Sequence, residues 1–181
     1  MKNIIISGLL GGLVLIIWMF LVNGILGFRN QIDMKKISNE SPVYEILKQN
    51  ITEPGRYSCN PEINPTGMFP EDEPVFSVMY SGMGHEAAGG LMIFGLLIYL
   101  IAPMIAAWML SVSSEKILIS YPRKVLFFTA IGLIIAIFSD LSSFGIGNYP
   151  LSDALLLAIH NVILWTLIGL VIAWRIKPDV K

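Results

Sequence analysis

The stretch from Leu151 to Trp174, LSDALLLAIHNVILWTLIGLVIAW, decides the fold. Asp153 is its only charged residue, and it stands close to the beginning of the stretch. An α-helix rises about 1.5 Å per residue, so about 20 apolar residues cross the roughly 30 Å hydrocarbon core of a bilayer. The stretch is long enough and apolar enough to predict a transmembrane helix.

Three further stretches share this character and complete the predicted fold. Lipid offers no water to exposed backbone groups, so spanning segments of this kind form helices. We therefore predict an all-α membrane protein, a four-transmembrane-helix bundle with a small α+β extracytoplasmic loop region. The predicted segments are transmembrane helix 1 at 1–28, the extracytoplasmic loop subdomain at 29–86, helix 2 at 87–110, a cytoplasmic loop at 111–124, helix 3 at 125–144, an extracytoplasmic turn at 145–150, helix 4 at 151–174 and a cytoplasmic tail at 175–181.

The composition agrees with a membrane protein and excludes several other classes. Of the 181 residues, 55% are hydrophobic and only 14% are charged, whereas soluble domains carry about 25% charged residues. The mean hydropathy is +0.70. The net charge of −1 argues against nucleic acid as a partner. The single cysteine, Cys59, excludes a disulfide within the chain, and we expect it in a strand packed against the loop.

The distribution of Lys and Arg predicts the orientation. Basic residues flank the predicted spans at the amino terminus, in the 111–124 loop and in the 175–181 tail, whereas the 145–150 turn has none. Short cytoplasmic segments are enriched in Lys and Arg. We therefore expect a multi-pass protein with both termini in the cytoplasm and the long loop outside.

The long loop carries its own secondary-structure signals. Ser41 followed by Pro42 favours a helix start, with Ser as the cap, and the helix is expected to end near Asn50. The segments 56–59 and 75–80 have the composition of strands, and a stretch rich in Pro, Asn and Gly separates them. We predict an antiparallel pair on a small unit at the membrane surface.

Small residues recur at four-residue spacing in every predicted span. This spacing lets helix backbones approach closely in a membrane. The pairs are Gly8 and Gly12, Ala102 and Ala106, Gly132 and Ala136, and Gly169 and Ala173. They predict close helix packing, with one small-residue face available for a partner.

Three segments resemble a known family. They are GLLGGLVLIIW at 8–18, the outside segment that includes SNE at 38–40 and ITEPGRY at 51–57, and GLVIAWRIKP at 169–178. The chain is similar to an uncharacterised family of small four-span bacterial inner-membrane proteins with one long periplasmic loop. The resemblance implies a place in the bacterial cytoplasmic (inner) membrane and this topology, and it transfers no functional residue.

Ionisable residues within spans are costly in lipid, so each one raises a functional question. His160 falls near the middle of helix 4, and Asn161 points about 100° away from it around the helix. Asp140 is the carboxylate nearest in predicted depth to His160. His85 and Glu86 fall at the outer start of helix 2. The candidate metal ligands are therefore His85, Glu86, Asp140 and His160.

These four residues leave three interpretations open. Imidazole and carboxylate groups bind transition metals, and His also relays protons because it titrates near neutrality. The third interpretation is structural, since a His in a span can simply hydrogen-bond across helices. We assign no catalytic and no cofactor-binding residue and predict no cofactor, with a transition metal as the alternative.

The sequence carries no phosphate-binding glycine loop, no Gly-x-Ser-x-Gly elbow and no Cys-x-x-Cys pair. The leading hypothesis is therefore an accessory or assembly subunit of an envelope complex, rather than an enzyme. Its expected partners are the lipid bilayer and either a membrane protein or further copies of the chain. The alternative is a small membrane metal-binding or redox enzyme with a site at the outer ends of helices 2–4.

Overall fold

The computed structural model describes residues 2–32, 35–146 and 149–178, except for the side chains at positions 29, 85–89 and 146. It is mostly helical, as predicted, with a small two-stranded sheet. Four helices are long and apolar enough to cross a membrane: Lys2–Ile25, Gly90–Ser111, Tyr121–Gly145 and Leu151–Arg175. The predicted number of spans is therefore matched by the number of such helices in the described residues.

The described residues form helices of varied length and two strands. Two of the long helices change to π-helical geometry toward one end, at Phe20–Ile25 and at Ala136–Leu141. The other elements are α1 Lys2–Met19, α2 Phe28–Ile32, α3 Glu40–Asn50, β1 Gly55–Cys59, β2 Phe76–Tyr80, α4 His85–Ser111, α5 Glu115–Leu118, α6 Tyr121–Ile135, α7 Ser142–Ile146 and α8 Leu151–Arg175.

Helix α6 begins earlier than the sequence predicts. It starts at Tyr121 rather than at 125, with Ser120 at its cap position and a proline in its first turn. Pro122 is tolerated there because the first amides of a helix have no partner within the helix. Arg123 and Lys124 therefore belong to the helix, and not to a loop as predicted.

The chain forms two compact units. The first contains residues 1–35 and 92–181, and the second contains residues 36–91. The hydrophobic core lies in the first unit and contains Leu15, Ala106, Ala107, Leu110, Phe128, Leu164, Trp165, Ile168, Ile172 and Ile176.

Glycines bring α1 close to two other helices. A Cβ at position 8 would lie 2.5 Å from the Cα of Met104, and a Cβ at position 12 would lie 2.6 Å from Cδ2 of Leu100. Gly11 faces α8, where its Cβ would lie 2.7 Å from Cδ1 of Ile172. The predicted pair of Gly8 and Gly12 thus allows the close approach of α1 to α4.

The approach of α6 to α8 also depends on glycines. A Cβ at position 169 would lie 2.6 Å from the Cβ of Phe128, and one at position 132 would lie 3.0 Å from the Cα of Val162. In α4, by contrast, Ala106 is buried but Ala102 is exposed. Only one residue of this predicted pair therefore packs inside the protein. The contacts also show that α1 and α6 each run antiparallel to α8.

The second unit contains the predicted strand pair. Strands β1 and β2 pair antiparallel, with Gly55 opposite Tyr80 and Cys59 opposite Phe76. Between them, the side-chain Oδ1 of Asn64 accepts hydrogen bonds from the backbone amides of Thr66 and Met68. This side chain organises the turn that the Pro, Asn and Gly composition predicts.

Helix α3 begins slightly before its predicted start. It runs from Glu40, with Asn39 at the cap position, whereas the sequence predicts Ser41 as the cap. Pro42 still lies in the first turn, where its missing amide costs no helical hydrogen bond. The helix ends at Asn50, as predicted.

No described residue of the second unit is buried. Its exposed large apolar side chains range from 36% at Val43 to 80% at Met79, whereas others, such as Leu47 and Val78, are half-buried. Cys59 is exposed as well, so the expectation that it packs against the loop is wrong. A two-stranded sheet is marginally stable by itself in water. The second unit therefore presents an uncovered apolar surface.

Candidate functional site

His160 lies against the first helix and the short helix that follows it. It is the tenth residue of α8, roughly 14 Å along the helix axis from the first residue. The indole Nε1–H of Trp18 donates a hydrogen bond to His160 Nδ1 at 3.3 Å. The ring of Phe28 stacks on the imidazole, with centroids 5.1 Å apart and planes 20° apart.

This contact defines the role of one ring nitrogen. Indole nitrogen only donates, so Nδ1 of His160 is the acceptor. Trp18 and Phe28 are apolar rings apart from that one N–H. The arrangement holds the imidazole in place and connects α8 to α1.

Asp140 lies on the other side of α8 and has a different partner. It is buried in the π-helical segment Ala136–Leu141. Asn161 Nδ2 donates a hydrogen bond to Asp140 Oδ2 at 2.7 Å. Asp140, the carboxylate nearest in predicted depth to His160, thus bonds to the adjacent residue, Asn161. Consecutive residues of a helix point about 100° apart, so His160 and Asn161 face different neighbouring elements.

The structure does not bring together a metal site from the described side chains. Within the described ranges, no three His, Cys, Asp or Glu side chains are placed to share a metal ion. The backbones of His85 and Glu86 open helix α4, but their side chains lie outside the described residues. A metal site that includes them stays a prediction.

An ion pair that sequence reasoning missed lies at the start of α8. Lys35 Nζ contacts Asp153 Oδ2 at 2.9 Å, and Ser152 Oγ donates to Asp153 Oδ1 at 3.2 Å. The Asp153 side chain is largely buried, whereas the Lys35 side chain is 61% exposed. A carboxylate in the first turn also favours the positive end of the helix dipole. The position of Asp153 three residues after Pro150, in the first turn of α8, was the available sequence signal.

Three further polar contacts join α6 to α8 toward the opposite end. Lys124 Nζ donates to the carbonyl of Ile176 at 2.7 Å, and Tyr121 Oη donates to the carbonyl of Leu170 at 2.9 Å. The hydroxyls of Thr129 and Thr166 are 2.9 Å apart. Together with the Asp140–Asn161 pair, these contacts run along the length of the α6–α8 interface.

Two buried polar atoms have no hydrogen-bond partner within the part of the chain that the structure describes. They are Oδ1 of Asn23, in the π-helical segment Phe20–Ile25, and Nε of Arg175, at the end of α8. The amide nitrogen of Asn23 contacts only a sulfur, Sδ of Met19, at 3.7 Å. A buried unpaired polar group is costly, so both atoms are places where a further group could bind.

The chain matches no protein family model, no curated protein and no solved structure. The geometry of the chain itself therefore carries the functional argument. Among the described residues of the long helices, three pairs of polar side chains bond across helix interfaces: Trp18 with His160, Asp140 with Asn161, and Thr129 with Thr166. The serines at 7, 111, 142 and 143 bond instead to carbonyls of their own helices.

Proposed function

We propose that the protein is a multi-pass protein of the bacterial inner membrane that serves as an accessory or assembly subunit of an envelope complex. Its four long helices form a bundle with both termini in the cytoplasm. The second unit, residues 36–91, faces the outside and binds a membrane protein partner. The observation that carries this proposal is the absence of any buried residue among the described residues of that unit.

The second unit needs a cover for a physical reason. Its exposed apolar side chains include Ile46, Phe76 and Met79, at 61%, 60% and 80%. Each apolar side chain that leaves water contributes about 1.5–3 kcal/mol on full burial, so a partner that covers this surface gains stability for both chains. Exposed apolar patches of this kind are typical of interaction sites.

The polar pairs within the helices support the same interpretation. Trp18 with His160, Asp140 with Asn161, and Thr129 with Thr166 use their polar atoms to join helices. Such pairs contribute about 0.6 kcal/mol each on average in a membrane protein. They favour a structural role over a reaction centre.

Site-specific photo-crosslinking in living cells tests the proposal. A photoreactive residue at Met79 or Ile46 should form a discrete adduct with one and the same envelope protein. The matched control is Phe138, which is 84% exposed but lies in a long helix, and it should form no such adduct. The absence of a discrete adduct at both test positions, or the same adduct at Phe138, would contradict the proposal.

A second candidate function, a small membrane metal-binding or redox enzyme, is favoured by one observation. Asp140 is a buried carboxylate in a π-helical segment, and such segments are frequent at functional sites. His85, Glu86 and His160 would be its companions. Metal analysis of the purified protein tests this candidate: stoichiometric metal that is lost in a His85→Gln variant would establish it over the first proposal.

A further inference from the structure

An open groove of about 350 Å³ lies between α6 and α8. We name it the α6–α8 groove, and its lining residues are Tyr121, Pro122, Val125, Leu126, Thr129 and Leu170. The residues from α6 recur at three- and four-residue spacing, so they form one face of that helix. From Tyr121 to Thr129 the groove extends about 12 Å along the helix.

The groove offers only hydrocarbon to a ligand. Tyr121 donates its hydroxyl to the carbonyl of Leu170 at 2.9 Å. The Thr129 hydroxyl contacts the carbonyl of Val125 at 3.2 Å and the hydroxyl of Thr166 at 2.9 Å. The polar side-chain atoms of the lining are thus already bonded within the protein. An aliphatic chain suits such a groove better than a polar metabolite.

Basic residues gather at the end of the helix pair where the groove begins. Arg123 and Lys177 are exposed there, and Arg123 Nη1 donates to the carbonyl of Lys116 at 3.0 Å. Lys124 is buried and its Nζ bonds the carbonyl of Ile176, so Arg123 and Lys177 are the exposed cations available to a headgroup. Arg175 lies at the same end of α8, and its buried Nε has no hydrogen-bond partner within the described residues. Clusters of Lys and Arg at a membrane surface bind anionic lipid headgroups.

We propose that the α6–α8 groove binds one acyl chain of an anionic phospholipid. Its phosphate lies toward the basic residues at the start of α6 and the end of α8. The lipid comes from the leaflet on the side where α1 begins and α8 ends. This inference rests on the membrane placement in the proposed function, and it adds a specific lipid site on the surface of the helices.

Native mass spectrometry of the full chain, released from detergent with added lipid, tests the proposal. The probes are phosphatidylglycerol, which is anionic, and phosphatidylethanolamine with identical acyl chains. Wild-type protein should retain one phosphatidylglycerol molecule in preference to phosphatidylethanolamine. Leu126→Trp and Leu170→Trp fill the groove from its two walls and should abolish this retention. Leu133→Trp is the matched control, because Leu133 is exposed on the same face of α6 but lies outside the groove.

The contribution of the basic residues to lipid binding is tested separately. Arg123→Gln should weaken the retention of phosphatidylglycerol about fivefold, the effect of one basic residue near an anionic lipid. Lys48→Gln, in the second unit, should leave it unchanged. Equal retention in wild-type protein and both groove variants, or equal loss in Leu133→Trp, would overturn the lipid site. If the groove variants lose a copurifying protein instead of lipid, the lipid site is also overturned, because the occupant of the groove is then a helix of that protein.

The failure of this inference is distinguishable from that of the proposed function. Membrane extraction with carbonate reports on membrane placement, and the adduct at Met79 reports on the partner. Neither measurement depends on the groove variants. A chain that stays in the membrane and forms its adduct, but shows no preference for phosphatidylglycerol, contradicts only the lipid site.

Discussion

At the scale of the residue, adjacent positions 160 and 161 of α8 serve two different interfaces. His160 accepts a hydrogen bond from Trp18, and Asn161 donates one to Asp140. One turn of helix thus connects α8 to α1 on one side and to the π-helical segment after α6 on the other. Polar groups within long apolar helices need partners, and these pairs provide them.

The Asp140–Asn161 pair leads to a prediction about stability. Asp140→Asn should leave the thermal stability of the detergent-purified protein nearly unchanged, because an amide oxygen can accept from Asn161 Nδ2 as the carboxylate does. Asp140→Leu should lower the free energy of unfolding by about 1 kcal/mol, since the Asn161 amide is then left unpaired. Unfolding followed by circular dichroism checks both variants.

Equal losses in the two Asp140 variants would show that the negative charge, rather than the hydrogen bond, matters at this position. A stable Asp140→Leu variant would show that Asn161 finds another partner. Ser142→Ala is a suitable control, because the Ser142 hydroxyl only bonds backbone carbonyls of its own helix, including that of Ser139. It should behave as wild type.

Residue pairing was the least predictable part of the candidate site from sequence. Hydropathy and the helical rise place His160 and Asp140 at approximate depths, and this is enough to single them out. The rotation of each helix about its axis decides which of them meet. That rotation depends on packing contacts such as that of Gly169 with Phe128, which the sequence shows only as a small-residue spacing.

At the scale of the element, the second unit depends on backbone geometry as well as on pairing. Strands β1 and β2 pair over five residues each. Gly82, two residues after β2, has a φ of +72°, a conformation that side chains other than glycine rarely adopt. A Cβ there would also lie 2.5 Å from Cγ of Pro54, directly before β1. Gly82 thus closes the end of the strand pair.

Gly82→Ala should therefore destabilise the strand pair. The left-handed conformation costs about 1–2 kcal/mol for a residue with a Cβ, and the contact with Pro54 adds strain. Trypsin cleavage at Arg56 in the purified protein should become faster in this variant. Gly84→Ala is the matched control, because a Cβ at position 84 meets nothing within 4 Å. Equal cleavage rates in the two variants would contradict the importance of Gly82.

Elements were more predictable than residue pairs. The two strands and α3 lie within two residues of their predicted bounds, because proline, glycine and asparagine mark turns through local chemistry. The π-helical segments Phe20–Ile25 and Ala136–Leu141 were not predicted, since a change of hydrogen-bonding register leaves no composition signal of its own.

At the scale of the whole molecule, the four long helices follow from hydropathy alone, whereas the second unit's surface does not. Apolar runs of about 20 residues identify spans because lipid imposes one requirement on all of them. No comparable rule states whether the exposed side of a short loop helix such as α3 is covered. The exposure of Ile46 and Met79 became apparent only in the folded chain.

The last prediction concerns orientation. Trp18 of α1 contacts His160, and Gly11 approaches Ile172 further along α8, so α1 and α8 run antiparallel. The amino terminus and the end of α8 therefore lie on the same side of the first unit. Arg175 and Lys177 lie at that end, with Lys116 in the connection after α4 and Arg123 and Lys124 in the first turn of α6. This distribution of positive charge predicts that the side is cytoplasmic.

Fusions to reporters check this orientation. A fluorescent protein that matures only in the cytoplasm should fluoresce when it is fused after Lys181, and alkaline phosphatase should be inactive there. Alkaline phosphatase fused after Gly67, in the second unit, should be active, because export is required for its folding. Phosphatase activity at position 181 would mean that the spans are odd in number or inverted, and activity at neither position would place residues 36–91 in the cytoplasm. An inactive fusion after Gly67 would also remove the second unit as a surface for an extracytoplasmic partner.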